Sequence, residues 1–302
     1  MLHVLTCYFL NFKVEILVTN DITFITACKG KIPKFHKGEI IMKLKIACLQ
    51  MDIAFGNPEK NYQNAEKLIE AAASDQPDII VLPELWTTGY DLTRLDTIAD
   101  KGALQTIEFL KNAAKKYNVN FVGGSVANRD DKGVKNTLLI INREGELSSE
   151  YSKLHLFKLM DEHLYLEAGC EKGLFKLDNH AFAGVICYDI RFPEWIRAHT
   201  TEGAEALFVV AEWPAPRLSH WRNLLIARAI ENQCFVIACN RSGSDPNNQF
   251  AGHSLVIDPW GEIIAEAGAD EEILTAEIDL KLVGEIRKQI PIFEDRRPDY
   301  YK

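Results

Sequence analysis

AFAGVICYDIRFPEW, residues 181–195, sets a cysteine where an apolar run gives way to charged and aromatic residues. The run reads as a strand over 181–189. Pro193 at the start of PEWIRAHTTEG and Gly203 after its last polar turn bracket a helix over 193–203. AEALFVVAEW (204–213) is the next strand, a long helix spans about 217–232, and CFVIACN (234–240) is a strand again. Strand and helix alternate, which is the pattern of an α/β protein. Cys187 is then either a small core residue or a nucleophile shown at a strand end.

The first half of the chain repeats the theme. KLKIACLQM (43–51) is strand-like. A helix follows over 57–75, with Asn57 as cap, Pro58 in the first turn, and Tyr62, Ala65, Leu68, Ile69 and Ala72 on one face. PDIIVLPE (77–84) is short and wholly apolar at its centre, as in a strand buried on both faces. Residues 103–117 form an amphipathic helix. NVNFVGGSV (118–126) and NTLLIINREGEL (136–147) are strands, the second turning at Glu144 and Gly145. GHSLVIDPWGEIIAEAG (252–268) reads as a hairpin around Pro259, Trp260 and Gly261, EEILTAEIDL (271–280) as the last strand, and PIFEDRRPDYYK as an extended tail. No low-complexity linker separates the halves, so one domain is expected. Spacing alone does not separate an open sheet from a layered sandwich.

Composition limits the partners. The 302 residues carry a net charge of -9, which disfavours nucleic acid and anionic membranes. No stretch of about 20 apolar residues is present to make a transmembrane helix. The seven cysteines are odd in number and lack a CxxC pair, which points to reduced thiols in a cytoplasmic protein. His155 and His163 are too poorly spaced for a metal site, so no metal is expected. The phosphate loop GxxxxGK[ST], the dinucleotide motif GxGxxG and the nucleophile elbow GxSxG are all missing. Residues 1–41 lack the arrangement of a secretory signal. Lys37, Gly38 and Glu39 are encodable by a purine-rich stretch like a bacterial ribosome-binding site just before Met42. The expectation is that Met42 is the native start and 1–41 an upstream extension outside the fold, with 42–302 the functional domain; a genuine N-terminal strand pair is the competing reading.

Three strand ends carry candidate chemistry. Glu84 closes IIVLPE, Lys153 follows ELSSEYS, and Cys187 closes AFAGVI. Each alone has a plain structural reading: a capped carboxylate, a solvated lysine, a core thiol. A cysteine–histidine pair stays open as well, with His155 and His220 as the histidines.

Glu, Lys and Cys in this order, in VLPELWTTGY, YSKLHLF and GVICYDIRFPEW, resemble the nitrilase (carbon–nitrogen hydrolase) superfamily. ARAIENQCFVIACNRSG (227–243), GHSLVIDPWGEII (252–264) and KIACLQMD extend the likeness over about 42–280. CYDIRFPEW and KLMDEHLYLEAG are most similar to the omega-amidase branch; true nitrilases tend to carry CWE where this chain has CYD. The resemblance implies a four-layer α-β-β-α sandwich, usually a homodimer through its helical faces. It implies that Glu84, Lys153 and Cys187 meet in one pocket, and it maps a second glutamate onto Glu162, with Glu167 close by. It implies Cys187 as nucleophile, Glu84 as general base and acid, and Lys153 with the Tyr188 backbone N–H as oxyanion donors. No metal and no organic cofactor are implied. The substrate class implied is a small carboxylate-bearing amide such as 2-oxoglutaramate or succinamate. Deaminated glutathione, an N-carbamoyl amine or a nitrile are alternatives, as is a catalytically inactive binding subunit. Arg191 and Arg217 are the candidates for the substrate carboxylate, although a salt bridge of Arg191 with Asp189 or Glu194 competes. Trp86 and Trp213 are candidate pocket walls, with core packing the competing reading.

Overall fold

Alternation along single strands sorts the apolar side chains onto two faces. In the strand Lys43–Gln50, Leu44, Ile46 and Cys48 join one core, and Ala47 and Leu49 join another. Ile79 and Val81 side with the first core, Ile80 and Leu82 with the second. The same split separates Leu138 and Ile140 from Leu139 and Ile141. A period of two puts successive side chains on opposite faces of a sheet. Both faces here are apolar, so the sheet is covered on both sides.

The computed structural model describes residues 42–301 and, upstream, the strand backbones at 3–9, 12–19 and 22–26. Two units are present, Met1–Ile40 and Ile41–Lys302. In the first, the strands His3–Phe9, Phe12–Thr19 and Ile22–Thr26 form an antiparallel sheet in chain order. The expectation of an upstream extension over 1–41 turns on segments that lie outside the described residues.

The second unit holds two mixed sheets. One runs in the order Glu272–Asp279, Lys43–Gln50, Ile79–Val81, Asn120–Asp130, Gly133–Ile141, Leu147–Ser152, with Asp100–Lys101 paired beside Asn120–Asp130. The other runs Leu174–Leu177, His180–Ile186, Ala206–Ala211, Phe235–Asn240, Leu255–Ile257, Ile263–Glu266. The central strands of each are parallel. The first core lies between the sheets; there Cys239 Sγ reaches Leu49 O at 3.3 Å and Val81 O at 3.4 Å. Helices Pro58–Ala73 and Leu104–Tyr117 cover the outer face of the first sheet through Ala65, Ile69, Leu110 and Ala114. Helix Leu218–Asn232 covers the second through Trp221, Leu225 and Ala229. The architecture is thus the four-layer α-β-β-α sandwich.

Caps follow the sequence. Asn57 Oδ1 accepts from the Lys60 N–H at 3.1 Å, with Pro58 in the first turn. The hairpin turns at Gly261, whose φ of +89° suits glycine and whose N–H donates to Asp258 O at 2.9 Å. Three expectations need correction. The strand expected over 181–189 ends at Ile186, and Cys187–Arg191 form a 3-10 turn, because Asp189 draws the backbone round by accepting from the Ile186 N–H. The strand expected over 136–147 is a hairpin of Gly133–Ile141 and Leu147–Ser152. The tail is not wholly extended: it contains a 3-10 turn at Pro298–Tyr300. A helix at Lys281–Gln289 was not expected at all; it buries only Val283 and Ile286 and contains Gly284, so its apolar stripe is thin.

Candidate active site

Glu84 lies just beyond the strand Ile79–Val81. A bulge in the neighbouring strand makes room for its turn. The register shifts between Val122 and Ser125, around Gly123 and Gly124. A Cβ on Gly124 would stand 2.3 Å from Pro83 O, so only glycine allows this approach. The Ser125 N–H donates to Pro83 O at 3.1 Å, and Ser125 Oγ accepts from the Leu85 N–H at 3.0 Å. Leu85 has a φ of 42°, a strained value for a side chain of its size. The turn therefore fixes the Glu84 carboxylate by construction.

That carboxylate is wholly buried and fully engaged. Oε1 accepts from Lys153 Nζ at 2.8 Å, Asn136 Nδ2 at 2.8 Å and Tyr90 OH at 3.2 Å. Oε2 accepts from the backbone N–H of Glu212 at 2.9 Å. Lys153 follows the strand Leu147–Ser152 and also donates to Glu162 Oε1 at 2.6 Å. Tyr90 OH donates to the same Glu162 oxygen at 2.5 Å, and Glu162 Oε2 accepts from the Phe157 N–H at 2.7 Å. Two carboxylates thus share one ammonium and one phenol, with Lys153, Glu84 and Glu162 at 0% exposure.

The charge states follow from this arrangement. Burial, the largest influence, disfavours the Lys153 ammonium, but Glu162, Glu84 and the Cys187 thiol together hold its pKa well above the usual value. Lys153 is a fixed cation. Burial and the same carboxylates push the Tyr90 phenol well up, so it stays a neutral donor. Burial also raises the Glu162 pKa, against the pull of Lys153.

Cys187 sits immediately past the strand His180–Ile186 with a φ of 46°. A left-handed cysteine is strained by about 1–3 kcal/mol and needs support. Asp189 supplies it: Oδ2 accepts from the Ile186 N–H at 3.0 Å and Tyr151 OH at 2.8 Å. Oδ1 accepts from the His155 N–H at 3.0 Å and lies 2.8 Å from His155 Nδ1. One buried carboxylate therefore ties the lysine loop to the cysteine turn. Burial pushes the Cys187 thiol well above its ordinary range, and the neighbouring Glu84 carboxylate pushes the same way; Lys153 opposes them. Cys187 opens onto a cavity that Tyr188, Arg191, Glu212, Trp213 and Arg217 also line.

A sheet sandwich with Glu, Lys and Cys at three strand ends is what the comparisons with known proteins bear on. The family model described as "Carbon-nitrogen hydrolase" matches residues 45–288. The chain belongs to the carbon–nitrogen hydrolase family. It is 58% identical over 260 residues to the 2-oxoglutaramate amidase of Bacillus subtilis, covering 86% of this chain and 100% of that one. It is 35% identical over 255 residues to an omega-amidase of Escherichia coli, covering 83% and 96%. The solved structure of a Saccharomyces cerevisiae member of branch 10 of the nitrilase superfamily superposes with a TM-score of 0.78 at 30% identity, covering 83% of this chain and 95% of that one.

In this carbon–nitrogen hydrolase the expected residues divide into two groups. Glu84, Lys153 and Glu162 converge beside Cys187, and Tyr188, Arg191, Arg217 and Trp213 line the cavity onto which Cys187 opens. Glu167 is not part of the cluster; its N–H donates to Val134 O. Trp86 is a correction. Its ring is fully buried between the outer helices, 5.1 Å from the Tyr62 ring, and its Nε1 donates to Gly123 O at 2.9 Å, so it packs the core instead of walling the cavity. Arg191 does not pair with Asp189, whose oxygens are taken. It lies 4.8 Å over the Trp213 ring and 3.3 Å from His220 Nδ1. Arg217 lies 5.5 Å over the Phe157 ring. Among the described residues neither guanidinium is paired with a carboxylate.

Tyr90, Asn136, Glu212 and Arg241 were missed. Tyr90 stands in the quoted stretch VLPELWTTGY, and Glu212 ends the strand segment AEALFVVAEW, so position after a strand was the available signal. Arg241 directly follows the strand CFVIACN and Asn136 opens NTLLIINREGEL, so position at a strand end was available for both. Arg241 Nη1 donates to Glu212 Oε2 at 2.6 Å, both side chains being fully buried. Among the described residues no group of three or more His, Cys, Asp or Glu side chains is arranged to hold a metal ion. No helix of the described residues is long and apolar enough to cross a membrane.

Proposed function

We propose that the protein hydrolyses the amide of a small dicarboxylate monoamide, with 2-oxoglutaramate as the leading substrate and succinamate as a second. The observation that carries the reading is the convergence of Glu84, Lys153 and Glu162 beside the Cys187 thiol, which opens onto a cavity lined by two guanidiniums that no carboxylate pairs among the described residues. The relatives named above, a 2-oxoglutaramate amidase and an omega-amidase, support it.

The proposed steps follow from the charge states. The thiol is protonated at rest, so its proton must leave as the sulfur attacks. Glu84 takes that proton while Cys187 Sγ bonds to the amide carbon. The carbonyl oxygen becomes an oxyanion, which Lys153 Nζ and the Tyr188 N–H stabilise; such donors contribute about 3–4 kcal/mol each. Glu84 returns the proton to the nitrogen, the C–N bond breaks, and ammonia leaves a thioester on Cys187. Water then attacks, giving its proton to Glu84, and the acid departs as the thiol is restored. Glu162 and Tyr90 orient Lys153 and Glu84 throughout. Arg191 and Arg217, stacked on Trp213 and Phe157, take the far carboxylate, which a guanidinium suits.

Residues 42–302 form the hydrolase domain in this reading and 1–41 stand outside it, which the family match over 45–288 supports. Free thiols at all five described cysteines support a reducing, cytoplasmic setting. A homodimer is part of the same proposal. The test is ammonia release from 2-oxoglutaramate and succinamate, with intact-mass detection of the acyl-enzyme. Activity that survives in a folded Cys187→Ser variant refutes the nucleophile. Turnover of deaminated glutathione, an N-carbamoyl amine or a nitrile in preference to both amides refutes the substrate class.

A further inference from the structure

Glu212 is a fully buried carboxyl that the steps above do not use. Its Oε2 is held by Arg241 Nη1 at 2.6 Å. Its Oε1 is buried and has no hydrogen-bond partner among the described residues, although the side chain lines the cavity beside Cys187. A buried oxygen without a partner is destabilising unless a ligand completes it. Its own backbone N–H holds Glu84 Oε2 at 2.9 Å, so Glu212 stands next to the reacting end of the cavity.

We propose that Glu212 is a specificity-determining residue, whose Oε1 hydrogen-bonds the carboxamide end of the substrate and tells an amide from the acid it becomes. This inference rests on the amidase reading. The substrate has two different ends. Arg191 and Arg217 attract its carboxylate, and an ionised Oε1 repels a carboxylate but accepts from an amide N–H. The ligand is thereby turned so that its amide, and not its acid, meets Cys187. After hydrolysis the same oxygen faces a new carboxylate and disfavours the product.

Arg241 is what makes the contact directional. It is buried, and Glu212 is its carboxylate partner; its Nη2 donates to Ile53 O at 2.6 Å and Ser244 O at 3.2 Å. One carboxyl oxygen therefore faces Arg241, and the proposal gives the other, Oε1, to the ligand. The charged and titratable groups around Glu212 are Arg241, Glu84 and Asp245, with Cys187, Arg191 and Arg217 across the cavity. Burial, against Arg241, pushes the Glu212 carboxyl up to about 8. An amide N–H favours its ionised form and an acid product its protonated form, so the preference for amide strengthens as pH rises through that region.

The test compares succinamate with succinate by calorimetry on Cys187→Ala protein, which binds without turning over. Glu212→Gln is added in the same background. Arg241 claims the glutamine oxygen, so the NH₂ faces the cavity and a permanent donor replaces an acceptor. The expected result is succinamate binding weakened about tenfold or more with succinate binding unchanged or tighter. The pH dependence of their ratio is lost. Equal weakening of both ligands overturns the inference, as does failure of succinamate to bind the Cys187→Ala protein. If Glu212→Gln does not fold, Glu212→Asp keeps the charge for Arg241 and withdraws it from the ligand; an unchanged ratio of the two affinities then overturns it. Failure of the amidase reading shows separately, as wild-type protein that releases no ammonia from succinamate.

Discussion

Replacing Lys153 by methionine keeps the stem and removes one buried charge. The ammonium lies 2.8 Å from Glu84 Oε1 and 2.6 Å from Glu162 Oε1, with all three side chains out of contact with solvent. The variant leaves two carboxylates facing each other with no cation between them. Stripping one partner from a buried pair destabilises by about 3–5 kcal/mol, less than the total stability of about 5–15 kcal/mol, so the variant still folds. Two like charges in a dry site do not both persist, and one carboxyl takes up a proton. Glu162 is that group, because burial already raises its pKa and Lys153, which opposed the rise, is gone.

The sign of the pH dependence follows. A carboxyl with a folded pKa above its unfolded value binds more protons in the native state. Its stabilisation is greatest at low pH and is lost as pH rises from the unfolded pKa through the folded one, with a limiting slope of about 1.4 kcal/mol per pH unit. Urea denaturation of Lys153→Met from about pH 5 to about pH 7 should therefore show stability falling more steeply than in wild type. Ammonia release from succinamate should drop by about 10²–10³ through loss of the oxyanion donor. A variant as stable as wild type at every pH, or one retaining more than about a tenth of the activity, refutes the reasoning.

Glu84→Gln should lower amide hydrolysis by about 10²–10⁴ yet speed alkylation of Cys187 by iodoacetamide near neutral pH. Burial is the larger cause of the raised thiol pKa, but Glu84 adds to it while Lys153 pulls the other way. Mass spectrometry of the labelled protein reads the rate, and slower labelling contradicts the account. In wild type the same labelling should keep rising with pH beyond the ordinary thiol range. Asp189→Asn replaces an acceptor that meets the Ile186 N–H, Tyr151 OH and His155 N–H. Stability should fall by about 2–3 kcal/mol in urea titrations, with kcat reduced and KM little changed. Arg191→Met and Arg217→Met should each raise KM for succinamate about tenfold and leave butyramide, which lacks the carboxylate, unaffected. Parallel losses on both substrates contradict a carboxylate-binding role.

The layers were legible because their causes are local. Alternation in Lys43–Gln50, the proline and glycine around Pro193–Thr200 and the cap at Asn57 each act within a few residues. The cluster of Glu84, Lys153, Glu162 and Cys187 came from motif order, since no local pattern requires those side chains to meet. Much of what completes the site was illegible for the same reason. The Glu212 N–H reaches Glu84 across 128 positions, and Asn136 reaches it across 52. Trp86 shows the converse failure. It stands two residues after Glu84, but Leu85 turns the chain with its positive φ, and the indole enters the helix-facing core. Lys281–Gln289 was missed because a short stripe around Gly284 carries little periodic signal.

The division of labour in the cluster follows from which groups are able to hold an extra proton. Lys153 is kept cationic by two carboxylates, so it has no lone pair with which to compete as a base. Tyr90 is kept neutral and already donates to Glu162 and Glu84. Asn136 Nδ2 and the Glu212 N–H only donate. Among the groups around Glu84, the thiol is the one left with a proton to give during the proposed reaction. The thiol in turn is costly to ionise while Glu84 remains charged. In the proposed reaction sulfur and carboxylate therefore exchange one proton between them, and the nucleophile forms as that proton crosses to Glu84. On that proposal no reactive anion waits in the resting cavity, and one arises when an amide carbon is in place to take the electrons.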